Sequence, residues 1–263
     1  MEENVNGTKN RYKEVKSILV SQPKPERSPY YELEEKYGLT IDWRPFIQVE
    51  AVSGKDFRKT RIKPDEYSAV IFTGKGSIDH FFRICDEMRI KMSADTKYFC
   101  MSEAIANYLQ KFIVYRKRKV FVGKRTIQDL KPYLMKHKAK EKFLLPCSNL
   151  GAKGVSNFLT ENEFNWQDAM MYKTVNADLS DLSDVFYDIL VFFSPLGIKS
   201  LFDNFPDFKQ NDTRIAVFGN STSKAVTDRD LIIDIKAPMP EIPSMTMALR
   251  KYLEISNKEQ EVS

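Results

Sequence analysis

One segment of this chain occurs twice, and that repetition constrains the fold more than composition does. YSAVIFTGKGSIDHFF at 67–82 aligns without a gap on YDILVFFSPLGIKSLF at 187–202. Tyr67/Tyr187, Phe72/Phe192, Ile78/Ile198 and Phe82/Phe202 are identical, and four further positions exchange one apolar residue for another. Each copy opens on a short apolar run, the pattern of a strand buried on both faces. A tight glycine-containing turn follows, then apolar residues at helical spacing. A duplicated strand–turn–helix unit predicts two similar α/β halves with a cleft between them.

Weaker echoes extend the repeat in the same order. KYFCMSEAIANYL at 97–109 matches RIAVFGNSTSKAV at 214–226, each a strand running into a helix start. FLLP at 143–146 echoes ILVS at 18–21, and FIQV at 46–49 echoes YKTV at 172–175. Nearly constant offsets argue against coincidence. KSILVSQPKPERSPYYELEEKYG at 16–38 reads as strand, Pro-rich turn and helix, with Gly38 placed to end that helix. WRPFIQVEAVS (43–53) and AMMYKTVNADL (169–179) read as extended. Helices are expected near 126–138 and 153–160, around the strand KFLLPCS. PSMTMALRKYLEIS closes the chain as a helix with Ser244 as its N-cap, whereas residues 1–14 are polar, aperiodic and read as disordered.

Alternating strands and helices predict parallel sheets flanked by helices on both faces. Ligands of such sheets bind outside the carboxyl ends of the strands, where helix N-termini open into a crevice. The 263 residues suit two domains of this kind. The longest apolar runs, such as ILVFF at 189–193, are far shorter than the roughly 20 residues a membrane helix needs. The polar start MEENVNGTKNRYKEVK has no apolar core of a secretory signal. Cys85, Cys100 and Cys147 lack the spacing of a disulfide framework or a metal knuckle, so a reducing cytoplasm is expected. With only His80 and His137, neither near a second plausible ligand, zinc chemistry and histidine-based triads are poorly supported. The net charge of +5 favours an anionic ligand without demanding nucleic acid.

Three turns are the candidate anion sites. TGKGS (Thr73, Gly74, Lys75, Gly76, Ser77), SPLG (Ser194, Pro195, Leu196, Gly197) and GNSTS (Gly219, Asn220, Ser221, Thr222, Ser223) all place small or hydroxyl residues at helix starts. Free N–H groups and the helix dipole suit carboxylates or phosphates there, with Lys75 and Lys224 adding charge. Ser102 stands at the equivalent start in KYFCMSEAIANYL. Ordinary N-capping explains any one of these turns; their recurrence in a duplicated frame points to a shared anionic ligand. TGKGS lacks the spacing of a Walker loop. The basic stretch YRKRKVFVGKR (115–125) is interrupted by Val120, Phe121 and Val122, so its charges are expected to flank a strand rather than form a nucleic-acid stripe. Tyr172, in the extended YKT, could donate a proton or hydrogen bond into a cleft, or simply pack as a strand tyrosine.

Together, VIFTGKGSIDHFF, MYKTV, VFFSPLGIKSLF, IAVFGNSTSKAV and the closing PSMTMALRKYL resemble the uroporphyrinogen-III synthase family, most closely the form found in Bacteroidetes-type bacteria. They are similar, in the family's order and over most of residues 16–255, to its FTSxxAV turn, YxT strand, FxSPSG-like turn and IGPTTAxAL strand–helix. The resemblance implies two α/β domains joined by a two-stranded connector. It places residues 1–44 with 177–263, and 50–170, in the two domains, with connectors 45–49 and 171–176. It further implies a lyase of tetrapyrrole and heme biosynthesis. The linear tetrapyrrole hydroxymethylbilane loses its hydroxyl, ring D inverts through a spiro intermediate, and the ring closes as uroporphyrinogen III.

The same resemblance implies no metal or organic cofactor and a small-molecule substrate carrying eight carboxylates, which suits helix-start amides. A monomer with neither nucleic acid nor membrane as partner is expected. Tyr172 corresponds to the family tyrosine that assists hydroxyl departure, and Thr222 to the threonine of the PTT turn. This chain departs from the pattern at Gly74, where the family has serine, and at Gly76. It departs again at Asn220, where the family has proline, and at Leu196, where it has serine. A non-catalytic relative binding a tetrapyrrole or other polycarboxylate is the alternative expectation.

Overall fold

The computed structural model describes residues 11–261. The chain opens with β1 (Ser17–Val20), α1 (Tyr30–Tyr37), β2 (Thr40–Trp43) and β3 (Ile47–Ala51). It continues through α2 (Gly54–Arg58), β4 (Ala69–Phe72), α3 (Lys75–Met88), β5 (Lys97–Cys100), α4 (Glu103–Leu109) and β6 (Val120–Val122). Next come α5 (Ile127–His137), β7 (Phe143–Ser148), α6 (Lys153–Glu161) and β8 (Trp166–Asn176). The last part holds β9 (Ile189–Phe192), α7 (Pro195–Asn204), β10 (Arg214–Phe218), α8 (Asn220–Thr227), β11 (Ile235–Ala237) and α9 (Met245–Glu261).

Two compact units result. A split unit takes the residues up to Gln48 and those from Asn176 on, and a continuous unit is Val49–Val175. The split unit carries a sheet of order β11-β10-β9-β1-β2, and the continuous unit one of order β3-β8-β7-β4-β5-β6. The ladders within β11-β10-β9-β1-β2 and within β8-β7-β4-β5-β6 are parallel.

The sequence repeat coincides with this topology residue by residue. Ala69 of β4 pairs with Lys97 and Phe143; Ile189 of β9 pairs with Arg214 and Ile18. Those partners are the residues that the KYFC/RIAV and FLLP/ILVS echoes align. Each repeated segment therefore forms a central strand of its sheet and the helix that follows.

Period-2 alternation sends successive side chains of each strand into different layers. From β9, Ile189 and Val191 pack in a core with Leu33 of α1 and Leu249 of α9, whereas Leu190 and Phe192 pack with Ile198, Leu201 and Val226 of α7 and α8. In the continuous unit, Val70 and Phe72 meet Ile78, Phe81 and Cys85 of α3, while Ala69 and Ile71 meet Leu130 and Leu134 of α5 and Leu159 of α6. Each of these fully buried large side chains contributes about 1.5–3 kcal/mol. Covering both faces explains why AVIF and ILVF are apolar throughout.

Helix ends follow the local chemistry. Gly38 takes φ 61° and returns its N–H to Glu34 O, closing α1. Ser244 accepts the Met247 N–H at the start of α9. The short β6 is the strand interrupting the basic stretch: Val120 is buried, and the preceding Lys119 is drawn to the Asp95 carboxylate and the Ala94 carbonyl. Two readings need correction. Of the segment expected to be disordered, residues 1–10 lie outside the described residues, but Arg11 is tied down, its Nε donating to Asp234 at 2.5 Å and Nη2 to Thr213 O at 2.7 Å. The strand β11 was not anticipated; it forms where DLIIDIKAP runs alongside β10.

Candidate functional site

In the continuous unit, parallel register brings the ends of neighbouring strands to one edge. Phe72 pairs with Cys100, and Ser148 with Tyr172, so Thr73–Gly76, Ser102 and Tyr172 all emerge at the carboxyl end of this sheet. Gly74 precedes α3 with φ −168°, extended backbone that any residue adopts, and a Cβ there would have nothing within 4 Å. The missing side-chain cap is supplied from inside the helix. Ser77 Oγ accepts the Gly74 N–H at 3.3 Å and donates to Gly74 O at 2.7 Å. The N–H groups of Lys75 and Gly76 belong to the first turn, which has no intrahelical acceptors for them. Both residues are exposed. The Lys75 ammonium lies 5.4 Å from the centre of the Tyr108 ring, and Lys111 lies 4.6 Å from it. Ser102 precedes α4 without forming a side-chain cap.

Tyr172 is half-buried, and its ring stacks on His80, centroids 4.6 Å apart and planes 17° from parallel. Burial first, and the neighbouring Cys147 second, raise the phenol pKa above its ordinary value. The hydroxyl therefore carries its proton at neutral pH and is a donor. His80 is shifted the other way, its pKa lowered by burial and then by the adjacent Arg83 cation, with Asp79 opposing. A neutral imidazole results. Arg83 Nε donates to His80 Nδ1 at 3.3 Å, while Nη2 donates to Val52 O at 2.8 Å and Met171 O at 3.0 Å.

In the split unit, β9 and β10 end side by side, and the two remaining turns start their helices there. Val217 pairs with Phe192, so Ser194–Gly197 and Asn220–Thr222 share one sheet edge. Ser194 is an N-cap, its Oγ accepting the Gly197 N–H at 3.3 Å. Leu196 is half-buried and Gly197 buried; a Cβ on Gly197 would meet Phe192 Cδ1 at 3.1 Å. Gly219 adopts φ 88°, a left-handed conformation that suits glycine, and aims α8 out of the sheet. Asn220 and Ser221 are exposed. Thr222 differs: it is 1% exposed, and its hydroxyl has no hydrogen-bond partner among the described residues. Lys224 turns away from the helix start to pair with Asp228 at 2.7 Å.

Each unit thus gathers its own set of candidate residues at a carboxyl edge. Among the described residues, no group of three or more His, Cys, Asp or Glu side chains could hold a metal ion. Nor is any of their helices long and apolar enough to cross a membrane. Sequence reasoning weighed His80 only as a metal ligand or a triad member and passed over Arg83. Their spacing from Gly76, four and seven residues along one helical face, is the signal that could have placed them beside the turn.

The chain's own sequence decides the family. A model of the family described as uroporphyrinogen-III synthase HemD matches residues 28–247. The chain belongs to the uroporphyrinogen-III synthase family. A uroporphyrinogen-III synthase of Chlorobaculum parvum is 22% identical over 254 residues, covering 91% of this chain and all of that one. Two solved structures share the fold. A mutant uroporphyrinogen III synthase from Thermus thermophilus superposes with TM-score 0.59 at 14% identity, covering 91% of this chain and 99% of that one. The uroporphyrinogen-III synthetase from Helicobacter pylori gives 0.57 at 16% identity, again covering 91% and 99%. As in those structures, parallel sheets flanked by helices build the molecule.

Proposed function

We propose that this chain is a uroporphyrinogen-III synthase, a lyase that closes hydroxymethylbilane to uroporphyrinogen III with inversion of ring D and loss of water. The observation carrying this reading is the convergence of the family match with geometry: every turn matching a family motif sits at the carboxyl edge of its sheet. Tyr172 is the catalytic residue. Hydroxide is a poor leaving group, and a proton passed from the neutral phenol to the departing oxygen lets it leave as water; the proton released when the macrocycle closes returns to the phenolate. The raised phenol pKa keeps that donor protonated over the physiological range.

Substrate carboxylates take the helix-start positions. In the continuous unit these are Thr73, Gly74, Lys75, Gly76 and Ser102; in the split unit, Ser194, Leu196, Gly197, Asn220, Ser221 and Thr222. First-turn amides supply most of the hydrogen bonds, which is why Gly74 and Leu196 can stand where the family carries hydroxyls. Thr222 contributes a hydroxyl that lacks a partner among the described residues. The chemistry asks for no metal or organic cofactor.

The protein acts as a cytoplasmic monomer on this one small-molecule substrate, with neither nucleic acid nor membrane as partner. The three buried free thiols, Cys85, Cys100 and Cys147, suit a reducing compartment, and the Lys119–Asp95 pair gives the basic stretch a structural use. Product-isomer analysis with hydroxymethylbilane tests the activity, and light scattering tests the monomer.

A further inference from the structure

We propose that Arg83 and His80 form a positioning pair that holds the Tyr172 ring, and with it the hydroxyl, in one pose. The proposal rests on the role given to Tyr172 above. Its geometry lies within the continuous unit. Arg83 and His80 are three residues apart on α3, so both side chains leave the same face. The guanidinium presents its donors in a fixed planar fork. One Nη2 is shared by the carbonyls of Val52 and Met171, at 2.8 and 3.0 Å, and Nη1 reaches Glu87 at 2.5 Å. Glu87 is itself anchored by the Gly54 N–H at the start of α2.

The Met171 carbonyl belongs to the peptide that joins Met171 to Tyr172, so Arg83 fixes the backbone from which the Tyr172 ring springs. Its Nε donates to His80 Nδ1 at 3.3 Å. In the neutral imidazole the proton then sits on Nε2, and the ring plane is set by the same fork. That ring lies flat against Tyr172, 4.6 Å centroid to centroid. Tyr172 is thereby held twice by one side chain: at its peptide directly, and at its ring through His80.

A backbone tie alone would explain Arg83, but it would not require an imidazole stacked on the tyrosine. Stacking contributes a directional contact beyond simple burial. A phenol has two side-chain torsions, and this arrangement restricts both. Misplacement of a donor by about 1 Å can cost two orders of magnitude in rate, which gives the pair a function in the reaction without touching substrate.

The test is a steady-state comparison of His80→Ala and His80→Phe, each alone and combined with Tyr172→Phe, together with NMR of the labelled tyrosine rings. His80→Ala should lower kcat about 10-fold with KM unchanged. His80→Phe, which keeps a flat ring against Tyr172, should return kcat close to the parent value. In the Tyr172→Phe background, His80→Ala should cost nothing further, because no hydroxyl remains to be placed. A raised KM at unchanged kcat, or an equal loss in both backgrounds, overturns the pair's role in catalysis. The NMR decides the positioning itself, whatever Tyr172 does in the reaction. The Tyr172 ring should be ordered in the parent and in His80→Phe and should gain motion in His80→Ala; an equally ordered ring in His80→Ala overturns the proposal. Full activity of Tyr172→Phe alone would instead overturn the role assigned to the hydroxyl.

Discussion

Ala69 and Ile189 hold the same place in two different sheets, each flanked by partners that the sequence repeat aligns with one another. Their outer neighbours, Lys97 and Arg214, also carry equivalent duties, for both are cations that open a strand beside a carboxylate. Lys97 pairs with Glu141 at 2.7 Å, and Arg214 lies 3.6 Å from Asp188. The repetition thus extends from apolar pattern to charge placement.

Lys97→Met should expose the cost of the buried carboxylate. Burial raises the Glu141 pKa, but the Lys97 hydrogen bond and charge outweigh it, leaving the carboxylate below its ordinary value. His137, 3.8 Å away, is the other titrating neighbour. A depressed pKa adds stability that is present above the unfolded value, about 4.3, and lost as pH falls through the folded one. Without Lys97, the Ser68 hydrogen bond remains to oppose burial, but less of the depression survives and the stability tied to it falls. Chemical denaturation at neutral pH should show a loss of about 1–3 kcal/mol, shrinking towards pH 4. A gap that stays constant with pH would count against this account.

Tyr172→Phe should slow turnover by about 10–100-fold with little change in KM. The ring and its stack on His80 remain, so the stability change should be small, about 0.5 kcal/mol, and melting should stay within a degree or two of the parent. Unchanged turnover in a folded variant would reduce Tyr172 to packing.

Thr222→Val separates stability from function in an unusual direction. The hydroxyl is buried and unpartnered among the described residues, and an unsatisfied buried group costs about 1–3 kcal/mol. Replacing it with an isosteric methyl should leave melting unchanged or higher while raising KM. A lower melting temperature with normal KM would show that the hydroxyl serves the fold.

Gly74→Ser and Gly197→Ser should part company. The first position has extended backbone and open space, so serine gains a capping oxygen worth a few tenths of a kcal/mol, and turnover should hold or improve. The second meets Phe192 at 3.1 Å, and crowding should cost about 1–3 kcal/mol. Equal melting of the two variants would contradict the packing described here.

The fold is legible where burial acts on a whole strand. AVIF and ILVF are apolar on both faces because helices cover both, and the turns after them carry the residues that open helices. β11 is not legible, since three residues gain strand geometry only from pairing with β10. The tie of Arg11 to Asp234 spans 223 residues of sequence, and no local pattern reports it. The candidate turns and Tyr172 are legible through family motifs. His80 is not, because its contact with Tyr172 depends on α3 lying across β7 towards β8, a tertiary relationship. The orphaned hydroxyl of Thr222 likewise becomes visible only when every neighbouring acceptor is placed.

The isomer formed from hydroxymethylbilane reports the reaction itself. Freshly made hydroxymethylbilane is incubated with the protein, the product is oxidised, and isomers I and III are separated by chromatography. Isomer III should predominate, with a yield that rises with protein concentration. Isomer I alone, the outcome of spontaneous closure without ring D inversion, would contradict it.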